Sequence, residues 1–195
     1  MTHTPRQRMP RQARRQQLLN VAWELVRQGG TDALALGRLA EEAGVSKPVV
    51  YDHFTTRHGL LAALYEDFDV RQNAIIDAAM AAAGDSVTEK AAVVASSYVN
   101  CVLSQGREIP DVLSALDSTP ELAEVKRQYQ LDFIAKFRGW FATDVAPPGL
   151  PLAAMWGLLG AADSISNAVV CGDISQQAGL EEITALIIAT IARYR

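Results

Sequence analysis

Eight consecutive residues, Ser46-Lys47-Pro48-Val49-Val50-Tyr51-Asp52-His53, gather a hydroxyl, an ammonium, a phenol, a carboxylate and an imidazole. At helical spacing these groups suit hydrogen bonding to a polar partner. The rest of the chain is poor in catalytic constellations. His53 and His58 lack a second ligand or an acidic partner at useful helical spacing outside this stretch, and no nucleophile elbow, phosphate-binding glycine loop, HExxH or defensibly spaced carboxylate pair occurs. Cys101 and Cys171 stand far apart, without CxxC spacing and without a neighbouring Lys, Arg or His, so both are expected to be buried, reduced structural thiols. No catalytic residue, metal or cofactor is expected.

The elements that must position the Ser46–His53 groups follow from periodicity. Positions 36–54 read as two short helices, Leu36 to Ala43 and Lys47 to His53, joined by a turn at Gly44. Leu39, Ala40, Ala43, Val45, Val50 and Phe54 form their inner seam, with Ala40 small enough for a close crossing. Ser46 can cap the second helix, leaving Lys47, Pro48, Val49, Tyr51, Asp52 and His53 to face the major groove of DNA. A first helix starting near Arg11 presents Leu18, Ala22, Leu25 and Val26 on one face and stops at Gly29-Gly30.

Charge points the same way. The net charge of −4 divides into nine Lys/Arg against five Asp/Glu over residues 1–57, and nine against seventeen over residues 58–195. Polyphosphate attracts the first part and is repelled by the second. Arg6, Arg8, Arg11, Arg14 and Arg15 form either a solvated tail or a DNA-contacting arm.

Gly44-Val-Ser-Lys-Pro-Val-Val-Tyr-Asp-His-Phe54, followed by Thr56-Arg57 and Gly59-Leu-Leu61, resembles the TetR (tetracycline repressor-like) family. The resemblance covers about Arg14 to Leu64. It implies a DNA-binding transcriptional regulator, most commonly a repressor, in which Tyr51 and Arg57 contact phosphates and Lys47, Val49 and His53 lie near base edges. The full candidate DNA-contacting set is Arg14, Arg38, Ser46, Lys47, Pro48, Val49, Tyr51, Asp52, His53 and Arg57. Pro48 matches a common variant and falls in the first helical turn, where proline is tolerated. One departure stands out: Ala35-Leu36 replaces the hydroxyl residue that often caps the first motif helix, and Thr31 or Asp32 is the expected substitute.

The remainder reads as helices throughout: Arg57 to Ala82, a capping box at Ser86-Val-Thr-Glu89 opening a helix to Ser104, a short helix near Ile109 to Leu116, and a Thr119-Pro120 start to Trp140. Two more run from Leu152 to Val170 and from Gln176 to Tyr194. The expected fold is all-α with about nine helices: a basic arm and helix-turn-helix domain over 1–56, then an effector-binding and dimerisation bundle over 57–195.

By the resemblance, the bundle encloses a small-molecule effector, with Phe68, Tyr98, Cys101, Tyr129, Phe133, Phe137, Trp140, Trp156 and Asp163 as candidate lining. Asp163 is the telling one, a lone charge in an uncharged helix that needs a partner or ligand if buried. Ile183, Leu186, Ile187, Ile188 and Ile191 occupy more than one helical face, and Gly157, Ala161, Ser164 and Ala168 make a row of small residues. Together Gly157, Ala161, Ser164, Ala168, Ile183, Ile187 and Ile191 resemble the family's four-helix dimer interface. A homodimer on a palindromic double-stranded operator follows; alternatives are an effector-independent DNA binder and an all-helical enzyme. The uncharged stretch Val145 to Ala162 carries Pro147, Pro148, Gly149 and Pro151, which argues against a membrane span, and Met1–Pro10 lacks the apolar core of an export signal, so a cytoplasmic protein is expected.

Overall fold

The computed structural model describes residues 9–105 and 108–195, so Arg6 and Arg8 of the expected arm lie outside the described residues. Among the described residues nine α-helices occur: α1 Arg11–Gly29, α2 Leu36–Glu42, α3 Lys47–Phe54, α4 Arg57–Ala82, α5 Val87–Gln105, α6 Glu108–Leu116, α7 Pro120–Trp140, α8 Leu152–Cys171 and α9 Gln176–Arg193. Starts follow local chemistry. The Thr119 hydroxyl accepts from Leu122 N, Pro120 fills the first helical position, and Ser86 and Glu89 exchange the two bonds of a capping box.

The helices wrap two apolar cores. The first joins Leu18, Leu19, Ala22, Trp23, Leu25 and Val26 of α1 to Leu39, Ala40, Val50 and Phe54 of the two-helix motif. It also takes Leu60, Leu61, Leu64 and Tyr65 of α4, and Ile109, Val112 and Leu116 of α6, so this core extends well past residue 56. The second core surrounds α5, whose fully buried Ala91 and Ala95 let α9 approach closely; Ile183, Ile187 and Ile191 fill that face.

That placement corrects the reading of α9. Ile183, Ile187 and Ile191 are 3, 2 and 0% exposed inside their own subunit, so none is available to a partner. Spaced by four residues, they make a single inner stripe, while Leu186 and Ile188, half-buried, and Ala185 and Ala192, exposed, carry apolar surface round the rest of the helix. On α8 the small row does lie outward: Gly157 and Ser164 are exposed, Ala161 and Ala168 half-buried. Cys171 also emerges on α8 and is exposed rather than buried; Cys101 is half-buried.

α8 starts after Pro151, beyond the prolines that argued against a span, and Leu152–Cys171 is long and apolar enough by length and composition to cross a membrane. Its composition has a packing explanation. Met155, Leu159, Ala162 and Val169 bury one face in the second core, and the opposite face is made of small residues.

At the edge of the first core a polar clasp joins α1 to α4. Asp67 accepts Trp23 Nε1 at 3.0 Å and Gln16 Nε2 at 3.0 Å, and pairs with Arg71 at 2.9 Å; one residue earlier, Glu66 pairs with Arg15 at 2.6 Å. Asp67→Ala strands a buried indole N–H and should cost about 1–3 kcal/mol by urea unfolding. The loss should shrink when Trp23 is first replaced by Phe; an equal loss in both backgrounds would show that the indole bond contributes nothing.

Candidate functional site

Gly44 takes φ +64° between α2 and α3, a conformation that disfavours other residues, and Val45 N returns to Ala40 O at 3.0 Å. With Val50 and Phe54 held in the first core, α3 is forced to turn its other face out. Lys47, Pro48, Tyr51 and Asp52 are exposed, Val49 and His53 half-buried. Tyr51, at 50% exposure, is a large side chain without packing to justify its type.

Two capping expectations fail. Ser46 has the N-cap backbone conformation, but its hydroxyl caps nothing, which leaves an exposed donor at the start of α3. Neither Thr31 nor Asp32 caps α2; both are taken up in the 3-10 turn Thr31–Ala33, and α2 begins at Ala35 without a side-chain cap. The first amides of both motif helices are therefore without side-chain partners.

Basic groups gather around this face. Arg38 stands exposed on α2, Arg14 bonds Gln17 Oε1 at 2.5 Å, and Arg11 Nη2 reaches Asp52 O at 3.4 Å, linking α1 to α3. Partial burial, and then the charges of Arg11, Arg15 and Arg14, hold the His53 pKa below its usual value despite Asp52. His53 thus presents a neutral ring within a cationic neighbourhood.

Arg57 behaves differently from the phosphate contact expected of it. Its Nε donates to Leu34 O at 3.0 Å and its Nη2 to Thr31 O at 2.7 Å, so the guanidinium braces the α1–α2 connection from inside. The neighbouring junction is equally constrained. Thr56 Oγ1 caps α4 by accepting Gly59 N at 3.0 Å, and a Cβ at Gly59 would run into the Phe54 carbonyl oxygen.

A cavity of about 350 Å³ opens in the bundle between α4, α5, α6, α7 and α8. Six of the nine candidate residues line it: Phe68, Tyr98, Cys101, Tyr129, Phe133 and Asp163. Phe137, Trp140 and Trp156 do not. Phe137 is buried against Phe141 and borders a separate void of about 30 Å³, Trp140 packs edge-on to Phe133, and Trp156 packs against the second core. On α7 the end of the stripe, Phe137 and Trp140, lies beyond the cavity that Tyr129 and Phe133 line.

Sequence reasoning missed Tyr65, Asp69, Gln72 and Asn73 of α4 and the contribution of α6 through Ile109, Pro110 and Leu113. The signal available was the polar trio Asp69, Gln72 and Asn73 at i, i+3 and i+4, interrupting the apolar stripe between Phe68 and Ile76. Asp163 finds a partner: Tyr98 OH donates to its Oδ1 at 2.5 Å. Burial raises the Asp163 pKa against the pull of Tyr98 and Lys126, and burial likewise raises that of Asp69 against Asn73 and Lys136. The Cys101 thiol is pushed up to about 12 by burial and so stays protonated. Among the described residues no group of three or more His, Cys, Asp or Glu could hold a metal ion.

Residues 18–64 match the family model for bacterial regulatory proteins of the tetR family. Over 59 residues the chain is 42% identical to the HTH-type transcriptional activator FasR of Mycolicibacterium smegmatis, an alignment spanning 30% of this chain and 27% of that protein. Whole-chain likeness is found among solved structures. The fatty acid degradation regulator FadR of Bacillus halodurans superposes with TM-score 0.72 at 16% identity, over 88% of this chain and 96% of that one. SCO4454, a TetR-family transcriptional regulator from Streptomyces coelicolor, superposes with TM-score 0.71 at 19% identity, over 93% and 89%. At these identities the likeness is one of fold.

Arg57→Ala should lower stability by about 1–3 kcal/mol, since Leu34 O loses its guanidinium donor and Thr31 O keeps only the Leu34 N–H. Tyr51→Ala, on the exposed face, should stay within about 0.5 kcal/mol of the parent. Urea denaturation of the two variants side by side checks this; equal effects would remove the bracing role of Arg57.

Proposed function

Through residues 18–64 this chain belongs to the tetR family of bacterial regulatory proteins, and on that premise we propose that it is a transcriptional repressor released from its operator by a small molecule. The observation that carries the DNA-binding part is the exposed face of α3. Ser46, Lys47, Tyr51 and Asp52 project from a helix anchored on its other side, beside Arg11, Arg14 and Arg38 on α1 and α2. Such a face fits the major groove, with Lys47 and Val49 at base edges and Tyr51 on a phosphate. Binding chromosomal DNA makes the cytoplasm its place of work.

The repressor acts as a homodimer. Gly157, Ala161, Ser164 and Ala168 give α8 an outer surface on which a second backbone can approach closely, and Ala185, Ile188 and Ala192 extend it on α9. Two-fold symmetry then sets the two α3 helices about one DNA turn, roughly 34 Å, apart on a palindromic operator.

Release uses helices that serve two sites. α4 carries Leu60, Leu61 and Leu64 in the core that holds α3, and Phe68 and Asp69 on the cavity. α6 does the same with Val112 and Leu116 on one side and Pro110 and Leu113 on the other, and its Glu108 pairs with Arg27 of α1 at 2.9 Å. A ligand that favours a shifted α4 or α6 weakens DNA binding by its differential affinity for the two arrangements, and by no more than that.

Lys47→Ala and Tyr51→Ala should each weaken operator binding, and loss of a phosphate contact should reduce the slope of log K against log salt by about 0.9. Electrophoretic or anisotropy titrations at several salt concentrations read this; an unchanged slope for Tyr51→Ala removes its phosphate assignment. Gly157→Arg should yield a folded monomer in sedimentation equilibrium with weakened operator binding, and an intact dimer would move the interface elsewhere.

A further inference from the structure

The cavity has a chemical bias that its size and position do not explain. Two carboxylates, Asp69 of α4 and Asp163 of α8, line it from different helices. The cation on its described lining, Lys126, is held by Asp117 at 2.7 Å. Between the acids stand aromatic faces. Tyr65 and Tyr129 meet edge-to-face at 5.2 Å, and Tyr98 and Phe133 at 6.2 Å. Tyr65 is 7% exposed, yet its hydroxyl has no hydrogen-bond partner among the described residues, and it feels both Asp69 and Asp163.

Three classes of ligand meet this lining differently. An anion, such as a carboxylate or phosphate ester, would be pushed against two carboxylates that line the space. A neutral apolar molecule would fill the space and gain nothing from either carboxylate. A cation with apolar or aromatic substituents satisfies every part at once: it neutralises the acids, stacks on rings whose faces attract positive charge, and replaces water against the apolar wall.

We propose that the cavity takes a lipophilic organic cation, held between Asp69 and Asp163 and packed on Tyr65, Tyr129 and Phe133. The proposal rests on the effector-site reading of the cavity and names the ligand class for it. Tyr98 is a positioning residue here, since its hydroxyl bond fixes the Asp163 carboxylate. The acidic excess of residues 58–195, nine Lys/Arg against seventeen Asp/Glu, draws cations to this half as the basic N-terminal part draws phosphate.

Tetraphenylphosphonium and tetraphenylborate are matched in size and shape and opposite in charge, so the ratio of their affinities reports the sign preference alone. Calorimetric titration of the full chain should show the phosphonium binding at least tenfold more tightly. Asp69→Asn and Asp163→Asn should each weaken the phosphonium about tenfold, with thermal melts confirming that the variants fold. Borate bound as tightly as phosphonium, no phosphonium binding, or unchanged affinity in folded Asn variants overturns the proposal; should a variant not fold, the ion pair on the unaltered chain decides.

Operator release is measured separately with the same ions. Phosphonium that binds without releasing DNA overturns the effector reading and leaves the charge preference standing. Borate that binds preferentially and releases DNA does the reverse.

Discussion

Asp67 sits at the point on which the two halves of the molecule depend. Its carboxylate joins Trp23 and Gln16 of α1 to Arg71 of α4, and so fixes the angle at which the DNA-binding helices leave the long helix. An indole N–H buried in an apolar core needs a partner, which makes this arrangement costly to abandon. The next residues along α4, Phe68 and Asp69, already belong to the cavity. Less than one helical turn thus separates the clasp on one side of α4 from the ligand space on the other, and a rotation of α4 cannot improve one contact without disturbing its neighbour.

Charge divides the molecule along the same line. Arg11, Arg14 and Arg38 crowd the α3 face, while Asp69 and Asp163 enter the bundle with Lys126 engaged elsewhere. A fold of short amphipathic helices can keep opposite fields this close because each field ends in water or in a low-dielectric wall. Phosphate is attracted at one end, and cations at the other.

The apolar composition of α8 and α9 has two causes that hydropathy alone merges. Met155, Leu159, Ile183, Ile187 and Ile191 are consumed in the subunit core, whereas Gly157, Ser164 and their small neighbours remain outside. Branched side chains fill volume around α5; small ones keep a surface flat enough for another helix. Removing α9 would therefore empty a core, and a bulky substitution on α8 is the cleaner way to probe assembly.

The sequence by itself determined the helices, their caps at Ser86 and Thr119, the turn at Gly44 and the outward side chains of α3, because each depends on neighbours within four residues. It also marked six residues of the cavity and the isolation of Asp163. Only the tertiary structure decided that Arg57 braces Thr31 and Leu34, that Ser46 leaves its helix uncapped, and that Phe137 and Trp156 miss the cavity. It alone showed the isoleucines of α9 facing inward and α6 reaching from the first core to the cavity. Periodicity states that a face is apolar, not which helix will cover it; that choice comes from how nine helices share two cores.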